Sequence, residues 1–357
     1  MRFSFVTLRA YAKKYERFVS IGSVVAGFIW DSITLGRPDQ LFNNLVFIAY
    51  LIISAGAIIS LAAYKRKKKE APYFILPIMQ FAFGNLAGGT LVVYGQSGSF
   101  EGSILFFAVL LVFIFGNELA RSYYARLSFH IAAWYFLLFG YIAIVLPILV
   151  GRVGDVVFIV SGFISMVIVA LFLLLLRFIA RERVILERKQ NVALIGSIFI
   201  LWNTLYFFNI LPPVPLSITS LGIYHSVNRT AEGNYNLTYE APEWYQNFYR
   251  NTSDVFTRVN GEPGYCFSSI YAPVRLSADI YHRWEQYDDK NKEWTTRSLV
   301  GYSVSGGRES GYRGYTLKNS IDPGRWRCSV ETSDSAIIGR TTFFVKEGSP
   351  LLREKIE

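Results

Sequence analysis

The sequence predicts a membrane-embedded all-α bundle of seven transmembrane helices, followed by an extracytoplasmic all-β domain of immunoglobulin-like sandwich type. Three observations predict it. Residues 1–216 are a series of long apolar runs. That half holds 19 Lys and Arg against 9 Asp and Glu, whereas residues 217–357 hold 17 of each sign. The second half also changes texture, into short β-rich runs cut by Gly, Pro, Asn and Asp. The chain thus divides into a 1–216 membrane domain and a 217–357 β-rich domain.

A spanning helix needs about 20 apolar residues. Seven segments qualify: Phe18–Leu35, Leu41–Tyr64, Pro72–Tyr94, Gly102–Ala120, Phe129–Val150, Val156–Arg177 and Val192–Leu211. The first is the shortest, with an apolar core of 13 residues from Phe18 to Trp30 before Asp31. It reads as a signal peptide, an interfacial helix or a short span. Trp30-Asp31-Ser32 is a poor cleavage site, and dropping the span would put the five N-terminal charges outside, so it is kept as a span. Loop charge decides the orientation, because Lys and Arg stay on the cytoplasmic side of short loops. Seventeen basic residues fall in the N-terminal stretch, Lys65–Lys69, Arg121 with Arg126, and Arg177–Lys189. The alternate loops carry only Arg37 and Arg152. Seven spans with a cytoplasmic N-terminus satisfy every loop and place the last 141 residues outside. The excess charge is accounted for by topology, so a nucleic-acid partner is excluded.

Polar groups at bilayer depth are functional candidates by default. Here they are Asn85, Asn117, Glu118, Arg121, His130 and Asn203. Glu118 and Arg121 are one turn apart and can pair on a helix face. The group reads either as a polar cluster that holds a substrate or relays protons, or as interhelical packing bonds; the second is favoured, because no acid lies deep within a span.

Pro212, Pro213 and Pro215 stiffen the exit from the last span. Strands are then expected at Leu221–Val227, Tyr235–Glu240, Gly264–Tyr271, Ile280–Tyr287, Trp294–Ser303, Tyr312–Lys318, Arg325–Thr332 and Ile337–Val345. Pro242–Arg250 reads as one or two helical turns. Trp326, Cys328 and Val330 share one strand face, as do Ile280, His282 and Trp284, the alternation of half-buried strands. Asp288-Asp289 before Lys290-Asn291 reads as a hairpin turn. Cys266 and Cys328 each lie in an expected strand. They are a candidate disulfide, but a bridge needs Cα atoms within about 7 Å, and residue type alone favours two buried free thiols.

From Tyr265 onward the chain resembles a family of bacterial envelope proteins known only as a domain of unknown function, DUF2914. The resemblance runs through Tyr265-Cys266-Phe267-Ser268-Ser269-Ile270 and Ile280-Tyr281-His282-Arg283-Trp284. It continues in Gly306-Gly307-Arg308-Glu309-Ser310-Gly311-Tyr312-Arg313-Gly314-Tyr315, Pro323-Gly324-Arg325-Trp326-Arg327, Ile338-Gly339-Arg340 and Phe343-Phe344-Val345. It covers about 85 residues, roughly 264–346. Similar proteins carry several spans ahead of this domain, and Gly116-Asn117-Glu118 and Asn209–Pro213 look like theirs. The resemblance implies a bacterial inner-membrane location and no known reaction.

The candidate ligand surface is the glycine-rich segment Gly306–Lys318, where Arg308, Arg313 and Lys318 alternate with Tyr312 and Tyr315. Arg forks onto carboxylate or phosphate, and tyrosines offer stacking faces. The competing reading is a glycine hairpin whose arginines pair with Glu309 or Glu331. His282 is a second candidate, although a lone His on an apolar strand face is usually a satisfied core residue. His130, His225 and His282 show no metal-ligand spacing, and no nucleophile elbow, Walker loop or His-Glu-x-x-His occurs. The expectation is therefore a non-enzymatic protein without cofactor or metal, partnered by the lipid bilayer and by an envelope glycan, peptide, lipid head group or membrane protein. A transporter or flippase with an accessory domain, and a membrane sensor, are the rival readings.

Overall fold

The computed structural model describes residues 39–97, 104–110, 126–246, 250–259, 261–273, 276–305 and 311–357. They form two compact units, one of helices and one that takes in the strands of Pro212–Glu357.

The helices are α1 (Leu41–Arg66), α2 (Ile75–Gln96), α3 (residues 104–110), α4 (Leu127–Val150), α5 (Asp155–Leu186) and α6 (Arg188–Phe207). All but α3 are long and apolar enough to cross a membrane. They correspond to five of the seven expected spans. The first expected span lies outside the described residues, as does most of the fourth, of which α3 is the described part.

Helix α4 is the centre of the unit: 17 of its 24 residues are buried, and α1, α5 and α6 pack on it. Two glycines permit close approach. A Cβ at Gly140 would meet the Trp202 ring at 3.1 Å, and one at Gly162 would meet Phe199 and Phe139 inside 3.0 Å. Tyr94, Phe106, Phe136 and Phe139 surround Trp202 with ring centroids 5.2–6.0 Å away. Outward-facing residues such as Leu171, Phe178 and Ile200 remain exposed, as suits a lipid-facing surface.

The basic segment Arg177–Lys189, expected as a loop, is largely helical. Helix α5 runs 32 residues and bends at Ala180 (φ −137°, ψ 53°). At about 1.5 Å per residue it exceeds the ~30 Å hydrocarbon layer, so its charged end extends past the apolar stretch. Arg66 donates to the Ile179 carbonyl at the bend (2.8 Å). Glu187 accepts from the Ser128 amide in the first turn of α4 (2.7 Å), where a carboxylate complements the helix dipole. The basic ends of α1 and α5 and the start of α4 therefore meet at one end of the helical unit.

Among the described residues eleven strands follow: β1 (Ser217–Tyr224), β2 (Ser226–Arg229), β3 (Tyr235–Glu240), β4 (Val255–Arg258), β5 (Gly264–Tyr271), β6 (Ser277–Asp288), β7 (Glu293–Ser305), β8 (Tyr312–Lys318), β9 (Gly324–Thr332), β10 (Ile337–Glu347) and β11 (Leu352–Ile356). They make three open sheets, ordered β1-β5-β8, β4-β10-β9-β6-β7 and β11-β3-β2. One core cluster joins Ile223 and Cys266 of the first sheet to Trp284, Trp326, Cys328, Phe343 and Val345 of the second. A second joins Ile270 to Ile280, Val304, Val330 and Ile338.

Cys266 of β5 and Cys328 of β9 form a disulfide with Cα atoms 6.5 Å apart, which corrects the expectation of free thiols. Both strands turn these residues into the same core from facing sheets, a juxtaposition invisible in one-dimensional spacing. The Asp288 turn is as expected: Asp288 Oδ1 accepts from the Lys290 and Asn291 amides, and these bonds hold its carboxyl below the usual range. Strands β4 and β11 were not expected. In Pro242–Arg250 the structure shows a turn at residues 244–246, with 247–249 outside the described residues.

Candidate ligand surface

Strand alternation sorts the expected site residues onto two faces of β8. Tyr312, Thr316 and Lys318 turn toward the five-stranded sheet. Tyr312 stacks on Tyr302, Thr316 bonds His282, and Lys318 donates to Ser298 (2.8 Å) and lies 5.8 Å from the Trp326 ring. Burial, then Arg297, push the Lys318 ammonium below its usual value against the pull of Asp322. Arg313 and Tyr315 occupy the opposite face. Tyr315, 42% exposed, contacts the rings of Tyr235 (6.2 Å) and Tyr265 (6.1 Å), and Arg313 reaches Asn234 (3.5 Å). No carboxylate pairs with Arg313 among the described residues. Arg308 lies outside the described residues.

His282 is fully buried behind this surface. Its Nε2 faces Ser268 Oγ (2.9 Å) and Tyr302 OH (3.0 Å), and its Nδ1 faces Thr316 Oγ1 (3.0 Å), which also accepts from Trp284 Nε1. Desolvation pushes its pKa down to about 3, so the ring is neutral. This is a satisfied polar node inside an apolar core, and it does not converge with Arg313. The sulfurs of Cys266 and Cys328 and a ring nitrogen of His282 lie within 4.8 Å of one another. That is metal-ligand spacing, but both sulfurs are committed to the disulfide.

His225 stacks on Phe256 (4.3 Å) between two carboxylates, Glu262 at Nδ1 (2.6 Å) and Glu240 at Nε2 (3.2 Å). Burial raises the Glu240 pKa, but hydrogen bonds from His225 and Thr257 outweigh it and hold the carboxyl low. On the outer face of the five-stranded sheet, Glu285 pairs with Arg327 and Glu331 with Arg283, where the sequence offered Glu331 to the glycine-rich hairpin. Arg325 stacks over Tyr287 (5.0 Å) and Trp294 (5.8 Å).

Among the helices, Asn85 and Asn203 turn their amides back to carbonyls four residues earlier, Phe81 (2.7 Å) and Phe199 (2.8 Å). His130 is buried in the first turn of α4. Asn117, Glu118 and Arg121 lie outside the described residues. Tyr235 and Tyr265 join the surface without having been singled out as site residues. They come from different strands, and no periodicity within either strand marks them.

The chain thus joins a region of span-length apolar helices to a β region of three sheets. Within it, residues 277–345, from the start of β6 into β10, match the family model DUF2914, a protein of unknown function, and form a DUF2914 domain. The match begins after β5, so Tyr265–Ile270 lies outside it. No curated protein matches the chain. Two solved structures show remote similarity. A β-glucosidase from Listeria innocua in complex with isofagomine is 10% identical with a TM-score of 0.20, over 38% of this chain and 17% of that one. The alkylpurine DNA glycosylase AlkC of Pseudomonas fluorescens, bound to DNA containing an abasic site analog, is 11% identical with a TM-score of 0.20, over 88% of this chain and 100% of that one. At these scores neither similarity carries a fold or an activity.

Proposed function

We propose that this is a non-enzymatic, multi-pass inner-membrane protein of the bacterial envelope. Its helices anchor a β region, read as an immunoglobulin-like sandwich, that binds an envelope glycan outside the cytoplasm. The observation that carries the binding reading is exposed Tyr315, flanked by the half-buried side chains of Arg313, Tyr235 and Tyr265. Ring faces suit the apolar face of a sugar, and a guanidinium without a carboxylate partner among the described residues suits an acidic one.

Two observations support the location. The Cys266–Cys328 disulfide is of a kind that persists outside the reducing cytoplasm. The meeting of the basic ends of α1 and α5 with the start of α4 agrees with loop charges that assign all of them to one side. The transporter reading gains little from Asn85 and Asn203, each of which donates to a carbonyl of its own helix; the buried Asn85 Oδ1 alone of the two side chains is left without a partner among the described residues.

The test is calorimetric titration of the full chain in detergent micelles. The probes are oligosaccharides containing N-acetylmuramic acid, against neutral chitooligosaccharides. Saturable binding of the acidic series, weakened at least tenfold by Tyr315→Ala and by Arg313→Gln, is expected. No binding by either series, or binding indifferent to both variants, contradicts the reading.

A further inference from the structure

Among the described residues the β region has six sheet edges, and five of them are short, charged or covered. Strands β2 and β4 have four residues each. Three of the five residues of β11 are charged, and β8 carries Arg313 and Lys318. Strand β1 is longer and uncharged, but Asn251 donates to its Leu221 carbonyl (3.4 Å) and Thr252 Oγ1 accepts from its Ile223 amide (3.3 Å). Edges treated in these ways do not pair with other chains.

Strand β7 is the exception. It is a 13-residue edge strand whose only ladder partner among the described residues is β6. A bulge at Arg297, where Glu285 pairs with Thr296 and Trp284 with Ser298, interrupts it once. Beyond the bulge, Ser298–Ser305 runs eight residues without a charge or a proline. Its outer backbone groups have no hydrogen-bond partner among the described residues. Leu299 on one face is 50% exposed and Val300 on the other is 41% exposed. Such an edge is a template for strand addition.

Charge defines what fits there. Arg297 donates to Gln286 Oε1 (3.2 Å), and Lys318 is bonded to Ser298 of the edge itself. Neither has a carboxylate partner in an ion pair among the described residues. No acidic residue lies between Trp294 and Ser305; the one carboxylate bonded to the edge among the described residues is that of Asp279, which accepts from Ser303 (2.7 Å) far from Arg297 and Lys318. We propose that the Ser298–Ser305 edge of β7 receives an extended, acidic segment of a partner protein, which joins the five-stranded sheet as a sixth strand. Backbone bonds would supply the pairing, Leu299 and Val300 the apolar contacts, and Arg297 with Lys318 the preference for acidic side chains. This site is separate from the tyrosine surface and does not depend on it.

Hydrogen–deuterium exchange on the full chain in micelles tests the proposal. The probe is an eight-residue peptide alternating Val and Glu, with Val/Gln and Val/Lys peptides as controls. In the free protein the outward-facing amides of Ser298–Ser305, those that do not donate to β6, are expected to exchange rapidly. The Val/Glu peptide should slow them at least tenfold, and the Val/Lys peptide should not. Arg297→Glu should weaken Val/Glu binding at least tenfold, while Arg297→Lys, which keeps the charge and controls for folding, should retain it. Equal binding of the Val/Glu and Val/Lys peptides, or no protection by any peptide, overturns the proposal. So does protection already present in the free protein: if it grows with protein concentration a second copy covers the edge, and if it does not the chain covers its own edge.

Discussion

The helical and β units differ in how they treat small polar side chains, although longer ones such as Trp134, Tyr94 and Arg66 do bond between helices. In the helices, Ser54, Asn85, Thr90, Ser161 and Asn203 bond carbonyls three or four residues away on their own helix. These donors are satisfied locally, as suits a group facing lipid or apolar neighbours, while the buried Asn85 Oδ1 has no hydrogen-bond partner among the described residues. In the β unit the bonds cross long sequence distances: His282 to Ser268, Tyr302 and Thr316, Glu285 to Arg327, and Glu331 to Arg283. These bonds exist only when strands far apart in sequence have assembled. The difference teaches that the β unit adds to its apolar core a cooperative polar and covalent framework that links distant strands. Substitutions should therefore separate the two units by magnitude.

The largest effect is expected from the double replacement Cys266→Ala with Cys328→Ala. The bridge closes a loop across a sequence separation of 62. Loss of that constraint costs about 4 kcal/mol in the chain-entropy model, read as a lowered denaturation midpoint of the tryptophan signal from the β unit. His282→Ala comes next. It removes the ring's contacts to Ser268, Tyr302 and Thr316 and opens a cavity, while Ser268 and Tyr302 keep each other and Thr316 keeps Trp284, at a cost of about 3 kcal/mol by urea melts. An unchanged midpoint in either case would erase the contrast between the units.

The same histidine gives a pH signature. In the fold its pKa is pushed down to about 3 from an ordinary value of 6.5. Between those values the unfolded chain binds a proton that the folded chain refuses, so stability falls as pH falls. From pH 6.5 downward this group removes about 1.4 kcal/mol per pH unit. Melts of the wild type and of His282→Ala at pH 7.5 and 5.5 should show the slope shrinking in the variant. The smallest effect belongs to the helices: Asn203→Leu should shift the thermal midpoint in micelles by less than about 1 kcal/mol equivalent, because the amide serves only its own helix. A larger loss would mean that Asn203 has a second role.

Much of this was legible in the sequence, for physical reasons that differ by region. Span-length apolar runs announce themselves, so Leu41–Arg66 and Leu127–Val150 lie within two residues of expectation. Strands β5 and β8 were legible to the residue because Gly264 and Lys318 bound clean β-rich runs. Strand β4 was missed because four residues give too little alternation. Strand β11 was missed because its Arg-Glu-Lys stretch reads as a charged tail. The candidate surface was half legible. Arg313 and Tyr315 stood out, but their separation from Tyr312 and Lys318 follows from strand alternation, and their association with Tyr235 and Tyr265 is tertiary. The disulfide was misjudged for the same reason, since no one-dimensional pattern reports a distance between facing sheets.

The central claim is that the β unit lies outside the cytoplasm while the Lys65–Lys69 loop lies inside. Cys266 and Cys328 are joined to each other, and among the described residues there is no free cysteine. A single cysteine introduced at exposed Lys346 or at exposed Lys67 can therefore report alone with a membrane-impermeant maleimide on intact spheroplasts. The account predicts that Lys346→Cys is labelled in intact spheroplasts and Lys67→Cys only after lysis. Labelling of Lys67→Cys from outside, with Lys346→Cys protected until lysis, would contradict it.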